Sequence, residues 1–160
     1  VSTALKSIFD SVDNRYLEPA ESKQLLEYSQ SIPERLTAVH DLQRHEASIA
    51  KELTDRIVDV YPKIAARIEG YEKTERDLLL ILRYCGQAML RNDPQFLNDQ
   101  LLYWLKTMLQ AFKLGENVLR DSYVWMKEIS QTKLDAKSYA LLEPYMNLVL
   151  DIVSEGENQV

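Results

Sequence analysis

The chain has 160 residues, 46% of them hydrophobic, which fits one domain with a sizeable core. Its formal charge of −6 comes with no basic cluster, which speaks against nucleic acid, whose phosphates demand gathered cations, and against a polybasic membrane-surface protein. The one cysteine, Cys85, excludes an intrachain disulfide. No apolar run approaches the roughly 20 residues of a membrane span, and the first residues lack the basic-then-apolar pattern of a signal peptide. The expectation is a soluble cytoplasmic protein.

With only four Gly and five Pro, the apolar residues recur at helical spacing almost throughout. Leu5, Ile8, Phe9 and Val12 predict a short amphipathic first helix, interrupted at Asp13-Asn14-Arg15. Glu18-Pro19 opens a second short helix carrying Leu25, Leu26 and Tyr28, because proline suits a first turn. Ser31-Ile32-Pro33 reads as a further start, Ser31 capping and Pro33 pre-set for the first turn, with Leu36, Val39 and Leu42 as the stripe. Ile49, Leu53, Ile57 and Val60 carry a fourth helix to Tyr61-Pro62. Residues 63–73, with Gly70, read as a connector.

A strongly apolar helix is expected from Thr74 to Arg91, with Leu78, Leu79, Ile81, Leu82, Cys85 and Met89, ending at Asn92-Asp93-Pro94. The next stripe is Leu97, Leu101, Leu105, Met108 and Phe112, broken at Gly115. Val118, Leu119, Ser122, Tyr123, Met126 and Ile129 define another helix. The last, from Asp135, carries Leu142, Met146, Val149 and Ile152, with a kink expected at Pro144 and a frayed polar end over residues 154–160. The count and lengths approach the globin pattern in a single domain.

Residues able to do chemistry are scarce. His40 and His45 are spaced so that one helix face does not hold both, which disfavours a zinc pair. Cys85 lies on the apolar side of its helix among Leu78, Leu82 and Met89, so a packed, inert thiol is expected. Glu69, Glu72 and Glu75 read as a solvated face, and the scattered glycines form no phosphate loop. A haem globin would need an iron-ligating histidine on the sixth helix, and residues 95–112 contain none. No enzyme is expected, and no metal site.

The segment Thr74-Glu75-Arg76-Asp77-Leu78-Leu79-Leu80-Ile81-Leu82-Arg83 resembles the bilin-attachment helix of phycobiliproteins, most closely the allophycocyanin type. There a Cys-x-Arg-Asp segment runs into an aromatic pair and then Leu-Arg; Arg76, Asp77, Leu82 and Arg83 stand at matching spacings. The register continues through Asp93, Met108, Met126-Lys127, Asp135 and a final helix centred on Tyr145. Lys6-Ser7-Ile8 and Arg15-Tyr16-Leu17-Glu18-Pro19-Ala20-Glu21 resemble that family's opening pair of helices. The resemblance thus covers nearly the whole chain.

It implies an all-α, globin-like phycobiliprotein fold: a helical hairpin over residues 1–32, a six-helix body over 33–153 and a tail over 154–160. The departures gather at the pigment site. The cysteine that would hold a bilin by a thioether is Thr74, and Cys85 lies about 16 Å further along the helix axis. The aromatic pair is Leu80 and Ile81, the preceding acidic position is Leu79, and the loop between Pro62 and Thr74 is shorter. No covalently bound cofactor is therefore expected.

Arg76 and Asp77 remain as residues for a non-covalent bilin, through a propionate and pyrrole N–H groups; the plainer reading is an ion pair or a helix-start charge. The resemblance also implies that the hairpin docks on another subunit through Leu5, Ile8, Phe9 and Val12. An aspartate near it (Asp13, or Asp10) would pair across the interface with Arg83. The plainer alternative folds the hairpin back on its own body and leaves Arg83 solvated.

Two functions follow. The first is a pigment-free or non-covalently pigmented allophycocyanin-like protein of a photosynthetic, cyanobacterial cell. It would be an assembly, capping or regulatory partner of the phycobilisome, bound to phycobiliprotein subunits or to itself at the cytoplasmic face of the thylakoid. The second is a non-covalent tetrapyrrole carrier or sensor.

Overall fold

Helix-forming residues at 3.6-residue spacing, with few breaks, leave the backbone little but helix to form. The computed structural model describes residues 3–10, 12, 14–66, 70–102 and 116–157, and among these none lies in a strand. In chain order the helices are α1 (Thr3–Asp10), α2 (Pro19–Val60), α3 (Pro62–Ala65), α4 (Gly70–Arg91), α5 (Pro94–Leu97), α6 (Glu116–Lys133) and α7 (Ala136–Glu157). A π-helical turn, Asn98–Leu102, continues α5. The architecture is all-α and globin-like, as expected.

The chief correction concerns α2. The starts expected at Ser31-Ile32-Pro33 and before Ile49 are absent, because one helix of 42 residues runs through both. The boundary expected between hairpin and body at 32/33 falls inside it. A proline inside a helix costs about 3 kcal/mol through a lost N–H and a crowded carbonyl. Here the helix is pinned on both sides of Pro33. Tyr28 donates its hydroxyl to Leu90 O at 3.1 Å, and Arg35 donates to Met89 O and to Asn92 Oδ1 at 3.0 Å. Ser31, far from capping a start, donates to Tyr28 O and accepts from Arg35 Nε, each at 2.8 Å. These bonds also serve carbonyls at the end of α4 that lack intrahelical donors.

Other boundaries shift for local reasons. The expected connector is helical at its start, where α3 runs to Ala65, and α4 opens at Gly70 rather than Thr74. Asn92, at φ 52°, ends α4 in the left-handed conformation that asparagine tolerates. Asp93 then accepts from the N–H groups of Gln95 and Phe96 at 3.1 and 3.2 Å and starts α5 with Pro94 in its first turn. The helix α7 passes through Pro144 and reaches Glu157, so residues 154–157 of the expected tail are helical. Leu105, Met108, Phe112 and Gly115 lie outside the described residues.

The middle of α2 packs against α4, α6 and α7. Leu42, Ile49 and Leu53 of α2 meet Leu82, Cys85 and Met89 of α4, Met126 of α6 and Leu142 and Val149 of α7 in one buried cluster. Each large side chain so buried stabilises the fold by about 1.5–3 kcal/mol. Two buried hydroxyls close on their own helices: Thr54 donates to Ala50 O at 2.8 Å and Ser122 to Val118 O at 2.5 Å.

One buried charge ties α2 to the α6–α7 corner. Asp41, 4% exposed, accepts from the Asp135 N–H at 2.8 Å and from Arg44 at 3.0 Å, with His45 Nδ1 at 3.4 Å. Burial pushes its carboxyl up, but the Asp135 N–H, His45, the Ser138 hydroxyl and Arg44 together hold it below its usual value. A carboxylate with a depressed pKa adds stability above its unfolded value of about 3.9 and loses it as pH falls through the folded value. Asp41→Ala leaves the part-buried Asp135 N–H without its acceptor and is expected to cost about 1–3 kcal/mol at pH 7 in urea unfolding. The deficit relative to the parent should shrink as the pH is taken below about 4; a deficit constant with pH would rule out the carboxylate as its source.

Candidate functional site

The helix α4 carries the residues singled out by the sequence. Leu78, Ile81, Leu82, Cys85 and Met89 form its buried face. Arg76, Leu80, Arg83 and Gln87, at spacings of four, three and four, fall on the opposite side, and all are exposed. Thr74 lies on the inward side, half-buried, and its hydroxyl donates to Gly70 O at 2.6 Å. Asp77, also half-buried, sits between the two faces, towards α6, where its charge helps raise the pKa of buried Tyr123 beyond what burial does.

Arg76 and Asp77 are in contact: Nε and Nη2 lie 3.4 and 3.3 Å from Asp77 Oδ1. The arginine side chain is 71% exposed and its partner's 22%, so the pair is a loose surface one of small worth. Glu72 is exposed and Glu75 half-buried, while Glu69 lies outside the described residues.

Cys85 is fully buried, and burial pushes its thiol up to about 12. It shares Thr74's side of the helix but is about three turns away. His40 is exposed, whereas His45 is half-buried with Nδ1 2.9 Å from Asp41 O. Among the described residues no group of His, Cys, Asp and Glu could hold a metal ion, and no helix is long and apolar enough to cross a membrane.

Arg83 has a partner that sequence reasoning missed. Glu46 of α2 accepts from Arg83 Nη2 at 2.7 Å and lies 3.1 and 3.2 Å from Nε, which raises the arginine's pKa. The arginine, its side chain 59% exposed, is ion-paired within its own chain. The pair stands at the lip of a groove of about 290 Å³ between α2 and α4, lined also by Val39, Leu42, Gln43, Gly86 and Gln87. Nothing local in the sequence links Glu46 to Arg83. The usable sign was Gly86, since a glycine mid-helix costs about 1 kcal/mol and usually marks a close approach. A Cβ at Gly86 would lie 3.0 Å from Leu42 Cδ2.

The hairpin differs from a free apolar stripe. Ile8 is 5% exposed within its own chain, whereas Phe9 is 49% exposed and Val12 half-buried. Asp13 and the Leu5 side chain lie outside the described residues. The turn into α2 is held by Arg15, which donates to both Glu21 oxygens at 2.9 and 2.8 Å, while Glu21 also accepts from the Glu18 N–H. Thus the structure brings Arg76 to Asp77 and, about two turns further along α4, Arg83 to Glu46 at the groove.

Residues 9–153 match the family model described as phycobilisome protein. The chain is 26% identical to the allophycocyanin beta chain of Anabaena variabilis, over 96% of this chain and 97% of that one. It is 25% identical to allophycocyanin subunit beta of Nostoc sp. and 24% to the allophycocyanin beta chain of Microchaete diplosiphon, over 96% of both chains in each case. With a family match running from within α1 into α7, this chain belongs to the phycobilisome protein family.

Proposed function

We propose that this family member holds no covalent pigment and serves as an assembly, capping or regulatory partner in the light-harvesting apparatus. It docks on phycobiliprotein subunits or on a second copy through its N-terminal hairpin and the face of α4 that bears Arg83. The supporting observation is the donor set at the position corresponding to the family's pigment linkage. Thr74 supplies a hydroxyl engaged with Gly70 O, and the chain's one thiol is shut inside the core. A thioether needs a thiolate, and a thiol held at about 12 supplies almost none at neutral pH. Leu79, Leu80 and Ile81 offer no acidic or aromatic side chain to a pigment. The residues present do not fit a covalent bilin, and this chain's role then rests on helix packing rather than on chemistry.

A second reading, a non-covalent tetrapyrrole carrier or sensor, draws on Arg76. Its guanidinium is mostly exposed and only loosely paired to Asp77, so it is available to a propionate.

Co-expression with bilin-synthesis enzymes separates the two. A colourless purified protein is the expected result. Visible absorbance that remains in the native protein but runs free of it on a denaturing gel would replace the first reading by the second. Colour that stays with the chain on that gel would defeat both.

Thiol labelling tests the donor argument itself. Cys85 is expected to stay unmodified by a thiol reagent at pH 8 in the native protein over a time in which urea-unfolded protein reacts fully. Rapid stoichiometric labelling of the folded chain would remove the ground for excluding a thioether.

A further inference from the structure

The helix α2 divides near Pro33 into two parts held by different forces. Its core-facing side chains begin at Ala38, followed by Asp41 and Leu42. Residues 19–32, about four turns of helix, include no buried residue: Leu26 is 55% exposed, and Leu25, Tyr28, Ser31 and Ile32 are half-buried. An arm of this kind takes little of its direction from the burial of apolar surface, and such segments open at the least cost.

Two prolines shape the joint. Pro33 offers no N–H to Ser29 O, four residues before it, and crowds that carbonyl; Pro94 likewise leaves Leu90 O without its helical donor. The Tyr28 hydroxyl fills the second of these places, 3.1 Å from Leu90 O. On the far side of Pro33, Arg35 donates to Met89 O and to Asn92 Oδ1. Through Ser31 Oγ its Nε also reaches back to Tyr28 O across the proline, each step being 2.8 Å. The Tyr145 hydroxyl of α7 adds a contact to Asn92 Oδ1 at 3.4 Å. The acceptors Leu90 O, Met89 O, Asn92 Oδ1 and Ser31 Oγ are all neutral. A carboxylate would hold the guanidinium about twice as strongly, so these bonds fix the arm without locking it.

We infer that Pro33 is a hinge, and that Tyr28 and Arg35 form the latch that keeps the arm, residues 19–32, in line with the rest of α2. With the latch closed the helix runs through Pro33 unbroken. With it open, the helix kinks where a hydrogen bond is already missing. Ser22 lies about 16 Å along the helix from Pro33, so a bend of about 20°, the least that counts as a sharp kink, carries it sideways by about 6 Å. The device belongs to the arm itself and holds whatever the arm docks on.

Double electron–electron resonance reads the arm's setting. In a Cys85→Ala background, spin labels are placed at exposed positions by Ser22→Cys with Gln87→Cys, and by Ser22→Cys with Ala140→Cys. The two pairs view the arm from α4 and from α7. Each is expected to give one narrow distance distribution in the latched chain. Tyr28→Phe with Arg35→Leu should broaden or shift at least one of them by about 6 Å. Adding Pro33→Ala, which restores an N–H to Ser29 O, should narrow it again. Tyr28→Phe alone deletes one hydroxyl and no packing; it is the unlatching variant if the double one loses its helical circular dichroism. Broad distributions in the latched chain, distributions indifferent to unlatching, or broadening that survives Pro33→Ala would each overturn the inference.

Discussion

Everything else in this fold depends on how closely α2 and α4 lie together at Gly86. Carbon atoms in ordinary contact stand about 3.5–4.0 Å apart, and a Cβ at residue 86 would stand 3.0 Å from Leu42 Cδ2. The absent side chain lets α2 settle onto the backbone of α4. With the two helices running antiparallel, the register is repeated along their length. Tyr28 reaches Leu90 O, Arg35 reaches Met89 O and Asn92, Leu42 lies on Gly86, and Glu46 holds Arg83. One steric allowance is thus continued by polar contacts on both sides of it, and these carry α2 straight through Pro33.

The same seating decides what the surface of α4 can do. Its inward side is consumed by packing, so Cys85 disappears into the core and Thr74 closes on Gly70 O. Its α6 side leaves Asp77 close enough to disfavour ionisation of Tyr123. Its α2 side turns Arg83 from a free cation into half of an internal pair. The phycobilisome family match therefore meets a chain whose thiol chemistry has been withdrawn and whose exposed arginine is already neutralised. Beside it lies an apolar groove whose two charged lining residues, Arg83 and Glu46, pair with each other.

Much of this was legible before the fold was known, and the parts that were share a cause. Periodicity identified the buried face of α4 and the faces of α6 and α7, because each side chain's destiny there follows from its position on one helix. Asn92-Asp93-Pro94 ended one helix and began another through local chemistry alone. The misses are of the opposite kind. Ser31-Ile32-Pro33 has every local mark of a helix start, yet α2 ignores it because Tyr28 and Arg35 find acceptors some sixty and fifty residues away. On the first helix the stripe divides in a way that periodicity does not show, with Ile8 buried by its own chain and Phe9 exposed.

By itself the sequence determined an all-helical, acidic, single-thiol chain of phycobiliprotein pattern, with Thr74 at the position that the resemblance matches to the pigment cysteine. Those properties are composition, spacing and residue identity, and no packing can alter them. Only the tertiary structure decided that α2 is one helix, that Gly86 makes a contact rather than a weakness, and that Arg83 belongs to Glu46. Each of these is an encounter between residues far apart in the chain, and an encounter of that kind leaves no mark in either local sequence.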